Sequence, residues 1–364
     1  MSYTPNSVAP KARDDIQAYN ITATSLKKFR TAYAKAKNGE GRATISCYGD
    51  SITSGYRATA PQYLNSWPAH IRALVDAKTG VVTGTGFVKP SALTEDAGET
   101  RFAYTSGSWG SRGSGIFGLD SYNAAGGMLT IGPIVTDRIR VYYLKYSGAG
   151  TATTTMDAVA GASIVGNGAT SASFQDFTAT QGSHTLVITA PTGSDFVFLG
   201  FDAHQNGTTS GVRFNNVGYN GSQAANLAGG ISGPQMAFNV LAPDLSVICF
   251  GDNDLASSTT PAAFKTNMQA LINYAYGVSS SVLLLVPPPP GINDPLNNYL
   301  NYVSAYYALA DANDCALIDT SKRFVSYTSA NAEGLMFDGQ HPNNRGYWDM
   351  AHMVAAALFQ TVAV

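Results

Sequence analysis

The stretch Ala43-Thr-Ile-Ser-Cys-Tyr-Gly-Asp-Ser-Ile-Thr-Ser-Gly55 sets the framework of the chain. It begins as a short apolar and β-branched run, which predicts a strand, and it breaks into a polar turn at Gly49-Asp50-Ser51. A strand that ends in a serine just before a helix places the hydroxyl group on the rim of an open α/β sheet, where ligands bind. Ser51 is therefore a candidate nucleophile, provided that the chain supplies a base, a residue that orients the base, and an oxyanion hole.

The composition is that of a globular, loop-rich protein. Only 13% of the 364 residues are charged and the formal net charge is −2, so a nucleic-acid partner has no electrostatic support. No apolar run reaches the roughly 20 residues of a membrane span, and no signal peptide is visible at the N-terminus. The protein is therefore intracellular, or exported by another route such as assembly into a phage particle, or shown without its leader, and of these we favour an extracellular or virion-associated protein. The sequence leaves the oligomeric state open.

The three cysteines and the histidines outside the candidate site give no sign of a metal centre. We expect Cys47, Cys249 and Cys315 to be buried free thiols, because each lies in an apolar, strand-like run. No histidine pair has metal-ligand spacing, so we expect no metal site. The histidines expected to have ordinary structural roles are His70, His184, His204 and His352.

Apolar strands alternate with helices in two separate parts of the chain, which predicts a parallel sheet covered on both faces. Between them, from about residue 86 to 213, short alternating runs separated by Gly, Ser, Thr and Asn clusters predict an antiparallel β-sandwich inserted between the first two strands of the sheet. The predicted strands outside this block are Ala43–Tyr48, Val212–Val217, Leu245–Phe250, Ser281–Val286 and Cys315–Ile318. The predicted helices are Asp14–Lys37, Ser66–Lys78, Ser222–Phe238, Pro261–Tyr276, Asn297–Ala312 and Arg345–Thr361.

Four loops at predicted strand ends, or before the last helix, carry chemistry-bearing residues. They are Gly49-Asp-Ser51, Asn216-Val-Gly-Tyr-Asn-Gly221, Gly251-Asp-Asn-Asp254 and Asp338-Gly-Gln-His341. The carboxyl ends of parallel strands meet at one edge of a sheet, so these loops are expected to converge. Together they supply a nucleophile, a base three residues from a carboxylate, and oxyanion donors, which is the set that acyl transfer needs.

Each residue takes a definite role in this interpretation. His341 would accept the Ser51 proton, and Asp338 would hold His341 in the correct tautomer. The Ser51 and Gly221 N–H groups and the Asn253 amide would point at the oxyanion, with Gly218 as the rival of Gly221. We expect Asp50 and Asp254 to hydrogen-bond to the loops.

The four blocks, in this order, resemble those of the SGNH (GDSL-type) hydrolases, which are named for a Ser, a Gly, an Asn and a His. The matching residues are Ser51, Gly221, Asn253 and His341, and Ile52-Thr53 replaces the Leu of the GDSL name. The resemblance implies a flavodoxin-like three-layer sandwich with a central parallel sheet, and neither a metal nor an organic cofactor. It covers roughly residues 40–85 and 212–364.

The long separation between Ser51 and Gly221 is a departure from compact members of the family, and the inserted block accounts for it. Peptidoglycan and polysaccharide O-acetylesterases of the family resemble this layout, with a carbohydrate-binding-like sandwich after the first helix. The resemblance therefore implies a hydrolase domain (41–85 and 212–364), an N-terminal arm and helix (1–40), and a jelly-roll-like β-sandwich insert (86–211).

The sequence thus predicts a serine esterase that removes acyl groups, above all O-acetyl groups, from a carbohydrate. A lipase or general carboxylesterase of the same fold is one alternative, and a phage tail or surface glycan-binding adhesin with a vestigial hydrolase site is another. Trp67, Trp109 and Tyr122 are the candidates for a sugar-stacking surface, although core packing is the competing role for each. The Pro287–Pro290 run is expected to be a rigid exit from a buried strand.

Overall fold

The computed structural model describes residues 17–22, 24–96, 98–110, 121–204, 210–228, 234–292, 294 and 297–359. Its described strands are β1 (Ala18–Tyr19), β2 (Arg42–Gly49), β3 (Phe102–Ser106), β4 (Ser121–Ala125), β5 (Met128–Lys145), β6 (Thr151–Met156), β7 (Val159–Ala160), β8 (Ile164–Val165), β9 (Ser171–Thr189), β10 (Thr192–His204), β11 (Gly211–Gly218), β12 (Leu245–Cys249), β13 (Ser281–Val286) and β14 (Ala316–Asp319). Its described helices are α1 (Lys27–Lys37), α2 (Ser51–Ser54), α3 (Gln62–Asn65), α4 (Trp67–Thr79), α5 (Ala92–Glu95), α6 (Ala224–Ala228), α7 (Pro234–Leu241), α8 (Asp252–Ala256), α9 (Pro261–Gly277), α10 (Tyr299–Asn313), α11 (Ser321–Phe324), α12 (Tyr327–Ala332) and α13 (Asn344–Phe359).

A mixed, mostly parallel sheet carries the candidate site. Among the described residues its strand order is β1-β14-β13-β12-β2-β11. β11, β2, β12, β13 and β14 run parallel to their neighbours, and β1 pairs antiparallel with β14. β2 lies between β11 and β12, so the strand that leads to Ser51 is flanked by those that lead to the second and third loops.

Both faces of this sheet are buried because apolar side chains alternate along its strands. Val247 and Cys249 of β12 face a core formed with α1, α4 and α13, whereas Ile248 faces a core formed with α9 and α10. Successive side chains of a strand point to opposite faces, so uniformly apolar strands require cover on both sides. Helices therefore cover the sheet on each side. Cys47, Cys249 and Cys315 are buried and free, as expected.

A separate antiparallel sheet lies between β2 and β11 in the chain. Among the described residues it has eight strands, with β4-β10-β5-β9-β6-β7 as its main path, β3 paired with β5 and β8 paired with β6. The antiparallel pairing agrees with the alternating sequence pattern. The 18-residue β5 and the 19-residue β9 run through register shifts, and hydrogen bonds join all of these strands into one continuous sheet.

A buried ion pair connects the two sheets. Arg213 of β11 donates from Nη1 to Asp202 Oδ2 of β10 at 2.8 Å, and both side chains are almost completely buried. Tyr142 of β5 donates its hydroxyl group to the same carboxylate. Burial alone would raise the pKa of Asp202, but the Arg213 charge and hydrogen bonds outweigh it and hold that pKa below its usual value.

Two helix predictions were wrong in extent. The Asp14–Lys37 helix is α1 alone, Lys27–Lys37, preceded by the edge strand β1; residues 14–16 lie outside the described part. Asn20 interrupts this segment, since its side chain donates to the carbonyl oxygen of Cys315 at 3.0 Å. The predicted helix from Ser222 to Phe238 comprises the two helices α6 and α7. Among the described residues, no helix combines the length and apolar character of a membrane span.

Candidate active site

The first three loops leave the sheet side by side. Gly49 of β2 is the register partner of Gly218 in β11 and of Cys249 in β12, so the three strands end at the same level. Tyr219 donates its backbone N–H to the carbonyl oxygen of Gly49 at 3.0 Å, which ties the second loop to the first. The register of the three strands therefore brings these loops together at one edge of the sheet, as expected.

Ser51 begins the one-turn helix α2 at the end of β2. Asp50 is its N-cap, and Asp50 Oδ1 accepts a hydrogen bond from the Ile52 N–H at 2.9 Å. Gly49 is required here, because a Cβ atom would lie 2.1 Å from Thr53 Oγ1 and 2.3 Å from the Cys249 carbonyl oxygen. Close strand-to-helix packing thus fixes the Ser51 backbone, and the side chain is only 4% exposed.

The structure brings His341 and Asp338 to Ser51. Ser51 Oγ lies 3.0 Å from His341 Nε2, and His341 Nδ1 lies 3.0 and 3.1 Å from the two carboxylate oxygens of Asp338. A carboxylate cannot donate, so His341 Nδ1 carries the proton and Nε2 is free to accept the Ser51 hydroxyl hydrogen. This is the tautomer that a general base for Ser51 requires.

Burial and hydrogen bonding shift the pKa values of both residues downward. Burial of the imidazole lowers the pKa of His341, and Asp338 opposes that effect only in part. Burial would raise the pKa of Asp338, but the N–H groups of His341 and Gln340, both of which donate to Oδ1, outweigh it and lower that pKa. A charged Asp338 beside a neutral His341 is the resulting state at neutral pH.

Hydrogen bonds in the second loop distinguish the two glycines that are candidates for the oxyanion hole. Gly218 already donates its N–H to Asn216 Oδ1 at 3.0 Å, and its carbonyl oxygen accepts a hydrogen bond from Lys89 Nζ. Gly221 has a left-handed backbone (φ +77°), is exposed, and its N–H has no acceptor among the described residues. Of the two glycines, Gly221 is the one with an N–H available to a ligand.

Asn253 lies in α8, directly after β12. Its Nδ2 atom donates to the carbonyl oxygen of Ser222 at 3.1 Å, which joins the third loop to the residue after Gly221. An amide nitrogen has two hydrogens, so one remains for a substrate oxygen. The Ser51 N–H, at the first position of α2, likewise has no acceptor among the described residues.

Three buried carboxylates lie in the first and third loops. Asp254 Oδ2 accepts from the Ala224 N–H at 3.1 Å, so Asp50 and Asp254 each hydrogen-bond to a backbone N–H in the first turn of a helix, at the end of the first and of the second loop. One oxygen each of Asp50, Asp252 and Asp254 has no hydrogen-bond partner among the described residues. Burial raises the pKa of Asp252 to about 7 and that of Asp254 to about 6, and it raises the pKa of Asp50 well above its usual value.

The fourth loop is held in place by contacts that the sequence interpretation missed. Gln340 Nε2 donates to Asp252 Oδ2, and this bond joins the loop with His341 to the loop with Asn253. The N–H groups of Gly291 and Ile292 both point to the carbonyl oxygen of Gly339, at 2.7 and 3.2 Å. The proline run therefore leads directly to a support of the fourth loop. Gln340 and Asp252 lie inside the sequence blocks, but no local signal paired them.

The aromatic residues predicted to stack on a sugar do not form one surface. The prediction for Trp67 was wrong: its side chain is 0% exposed in the core under α4, so it has no free ring face. Trp109 is half-buried, stacks on Tyr104 at 5.0 Å and donates from Nε1 to the carbonyl oxygen of Ser106. The side chain of Tyr122 lies outside the described residues.

The histidines expected to be structural have structural contacts. His184 pairs with Asp157, and the rings of His70 and His352 pack against Trp348. His204 pairs with the buried Asp202.

Comparisons with known proteins agree with this architecture. The family model for the GDSL-like Lipase/Acylhydrolase family matches residues 179–348, which include the second, third and fourth blocks. A solved structure described as a peptidoglycan O-acetylesterase is 15% identical, with a TM-score of 0.64 over 96% of this chain and 97% of that chain. At this identity the likeness shows a shared fold along nearly the whole of both chains.

Two further solved structures have lower scores. A two-domain esterase active on acetylated mannans is 11% identical, with a TM-score of 0.45 over 92% of this chain and 53% of that chain. An acetylxylan esterase from Geobacillus stearothermophilus is 16% identical, with a TM-score of 0.34 over 42% of this chain and 74% of that chain. No curated protein matches the sequence. The match to the GDSL-like Lipase/Acylhydrolase model confirms the resemblance to the SGNH hydrolases that the four sequence blocks carry.

Proposed function

We propose that the protein is a serine esterase that removes O-acetyl groups from a carbohydrate through an acyl-enzyme. The observation that carries the proposal is the contact of Ser51 Oγ with His341 Nε2 at 3.0 Å, with His341 Nδ1 on Asp338. A nucleophile, a base and the residue that orients the base are thus within hydrogen-bond reach of one another, which is the arrangement that nucleophilic catalysis requires.

In the first step Ser51 Oγ attacks the ester carbonyl carbon while His341 Nε2 accepts the hydroxyl proton. The tetrahedral intermediate then collapses, the carbon–oxygen bond to the sugar breaks, and the imidazolium returns its proton to the leaving sugar oxygen. In the second step a water molecule gives a proton to His341 Nε2 and attacks the acyl-Ser51 carbonyl carbon. The bond from that carbon to Ser51 Oγ then breaks, His341 returns the proton to Ser51 Oγ, and the acid is released. Asp338 stabilises the imidazolium in both steps and stays ionised.

The oxyanion would bind to the N–H groups of Ser51 and Gly221 and to Asn253 Nδ2. The two backbone donors have no acceptor among the described residues, and the Asn253 amide keeps one free hydrogen while Ser222 holds the side chain in place. Donors fixed before the reaction cost no reorganisation in the transition state. We expect Asn253→Ala to lower kcat by about 10²–10³, the usual cost of one oxyanion donor.

The carbohydrate part of the proposal depends on the layout of the chain. A solved structure that shares the fold over nearly the whole chain is described as a peptidoglycan O-acetylesterase. We propose that residues 41–85 and 212–364 form the hydrolase domain, and that residues 86–211 form a jelly-roll-like domain that binds the glycan. Trp109, half-buried on this antiparallel sheet, stays a candidate for sugar contact.

Acetate release from a panel of acetylated polysaccharides tests the proposal. We expect the wild type to release acetate and Ser51→Ala to lose at least about 10³ of that rate. Ser304→Ala, which removes an exposed hydroxyl on α10, is the matched control. Turnover by Ser51→Ala would remove Ser51 as the nucleophile.

Two further results separate the alternatives. A p-nitrophenyl ester series should favour acetate, and a preference for octanoate would instead indicate a lipase. Glycan binding without turnover of any ester would indicate an adhesin with a vestigial site.

A further inference from the structure

Arg57 lies at the candidate active site in a backbone conformation that is uncommon for a residue with a side chain. Its φ is +70°, in the left-handed region, which costs such a residue on the order of 1 kcal/mol. The turn is held by hydrogen bonds from the Tyr56 N–H to the Ser51 carbonyl oxygen and from the Ala58 N–H to that of Gly55, at 2.9 and 3.0 Å. The turn that follows the nucleophile helix therefore determines where the Arg57 side chain lies.

Two aromatic rings hold the guanidinium group of Arg57. The Arg57 Cζ atom lies 4.6 Å from the centre of the Tyr56 ring and 5.3 Å from that of the exposed Phe337 ring. The Tyr56 ring also contacts the imidazole of His341, at 5.0 Å between ring centres. Cation–π contacts of this kind orient a guanidinium group while leaving its edges available. Arg57 is thus held one ring away from His341.

The donors of Arg57 are not used within the described part of the protein. Its Nε atom lies 3.6 Å from Asp338 Oδ2, which is an ion pair but longer than a hydrogen bond, and no described residue accepts a hydrogen bond from its guanidinium group. The side chain is 45% exposed. The Nε side of the Arg57 guanidinium group faces Asp338, so the two Nη groups remain available to the carboxylate of a bound substrate. A guanidinium edge and a carboxylate match in bidentate geometry.

The charges around the site explain why such a cation matters. Asp338 contacts His341, its side chain is one-third exposed and its pKa is lowered, so an anionic substrate would meet this carboxylate at the site. Arg57 is within electrostatic reach of the reacting groups: after burial and the opposing effect of Asp338, its charge contributes to lowering the pKa of His341. A cation at this point offsets the repulsion of a negatively charged substrate.

We propose that Arg57 is an anion-binding subsite that receives the carboxylate of an acidic sugar beside the ester, so that acetylated acidic glycans are preferred over neutral ones. The proposal rests on the esterase function proposed above. Because the Arg57 side chain is half exposed, the preference depends on ionic strength and weakens as salt screens the interaction.

Acetate release from O-acetylated polygalacturonate and from O-acetylated mannan, a neutral glycan, tests the preference. We expect Arg57→Gln to lower the ratio of the two kcat/KM values, acidic to neutral, about tenfold or more, and Arg57→Lys to lower it less. Arg345→Gln, which removes an exposed arginine of α13, is the control for net charge and should keep the wild-type ratio. Raising NaCl to 0.5 M should reduce the ratio for the wild type and not for Arg57→Gln. An equal loss of kcat/KM on both substrates in Arg57→Gln, or no loss on either, would overturn the proposal.

Binding without turnover separates this inference from the esterase function. Calorimetry with pentagalacturonate, in a Ser51→Ala background, should show affinity at least about tenfold weaker when Arg57→Gln is added. Hydrolysis of esters without an Arg57-dependent affinity would overturn the subsite and leave the esterase intact. If the wild type hydrolyses no ester but binds pentagalacturonate in an Arg57-dependent way, the subsite is supported and the proposed esterase function is overturned.

Discussion

Ser51 Oγ and His341 Nε2 lie 3.0 Å apart, although 290 positions of the sequence separate the two residues. Hydrogen bonds on either side hold their segments together. Tyr347 of α13 donates its hydroxyl group to the Tyr56 carbonyl oxygen, and the Thr59 N–H donates to Asn344 Oδ1, each at 2.7 Å. The segment after Ser51 and the start of the helix after His341 are therefore one packed unit, which keeps nucleophile and base in register.

The pH dependence of acylation should reflect the buried state of His341. Burial lowers the pKa of His341 below its usual value of about 6.5, so the neutral base persists to lower pH than in a free imidazole. We expect the acid limb of kcat/KM to have its midpoint below pH 6.5. Initial rates with p-nitrophenyl acetate between pH 4 and 8, with circular dichroism as the control for folding, provide the measurement. A midpoint above 7, or a flat profile down to pH 4, would contradict the role of His341.

Alanine substitutions at the two glycines of the second loop should have different effects. A Cβ atom on Gly218 would lie 2.2 Å from the Ser54 nitrogen, against the backbone of α2, so Gly218→Ala should destabilise the fold and displace Ser51. A Cβ atom on Gly221 meets no heavy atom within 4 Å, and only its φ of +77° opposes the change. Gly221→Ala should therefore stay folded, losing about 1 kcal/mol of unfolding free energy.

Thermal unfolding of both glycine variants, measured beside kcat, tests this contrast. The expected pattern is a large loss of stability for Gly218→Ala, and a small loss of stability with lowered kcat for Gly221→Ala. Equal melting temperatures for the two variants would show that the close packing of Gly218 on α2 does not determine the stability loss of Gly218→Ala.

Gln340 should act as a positioning residue for His341 through its bond to Asp252. Gln340→Ala leaves the buried Asp252 carboxylate without this donor, and we expect kcat/KM to fall about tenfold or more while the protein stays folded. Gln340→Glu would place a carboxylate against Asp252, whose pKa burial raises to about 7. Loss of the Gln340 donor and the added carboxylate both raise the pKa of Asp252 further in this variant, so the pair gains a proton as pH falls. The activity of Gln340→Glu relative to wild type should therefore rise from pH 8 to pH 6. If the ratio of Gln340→Glu activity to wild-type activity is independent of pH, that result would argue against the contact between residue 340 and Asp252.

Asp254 should destabilise the protein at neutral pH. Burial raises its pKa from 3.8 to about 6, and a raised carboxyl pKa gives stability that is full below the unfolded-state pKa and is lost as pH rises through the folded-state value. Asn can still accept from the Ala224 N–H, so Asp254→Asn removes the charge and keeps the bond. The unfolding free energy of this variant, relative to wild type, should rise by roughly 2–3 kcal/mol between pH 4 and pH 8.

Urea unfolding at both pH values provides this measurement, and Asp76→Asn on the exposed side of α4 is the control for removing a carboxylate. The same relative stability for Asp254→Asn at pH 4 and pH 8 would contradict a buried, ionised Asp254.

The strands and the site residues could be predicted because their signals are local. Apolar runs of four to six residues and the turn residues that follow them are visible in short windows. Parallel strands present their carboxyl ends at one edge of the sheet, whatever part of the chain lies between them. The helix predicted from Asp14 failed because Asn20 makes long-range hydrogen bonds that helical periodicity does not reveal. Trp67 was misassigned for a similar reason, since the identity of an aromatic residue does not show whether it packs in a core or lies on a binding surface.

The sequence by itself determined the α/β alternation, the antiparallel block within it, and a Ser, Gly, Asn, Asp and His set suited to acyl transfer. Tertiary structure decided which glycine keeps a free N–H, since Asn216 occupies that of Gly218. It also decided that Gln340 reaches Asp252 and that Arg57 contacts the rings of Tyr56 and Phe337, one ring away from His341. The physical reason is that turn chemistry and side-chain period act over a few residues, whereas hydrogen-bond satisfaction and burial depend on segments that meet only when the chain is folded.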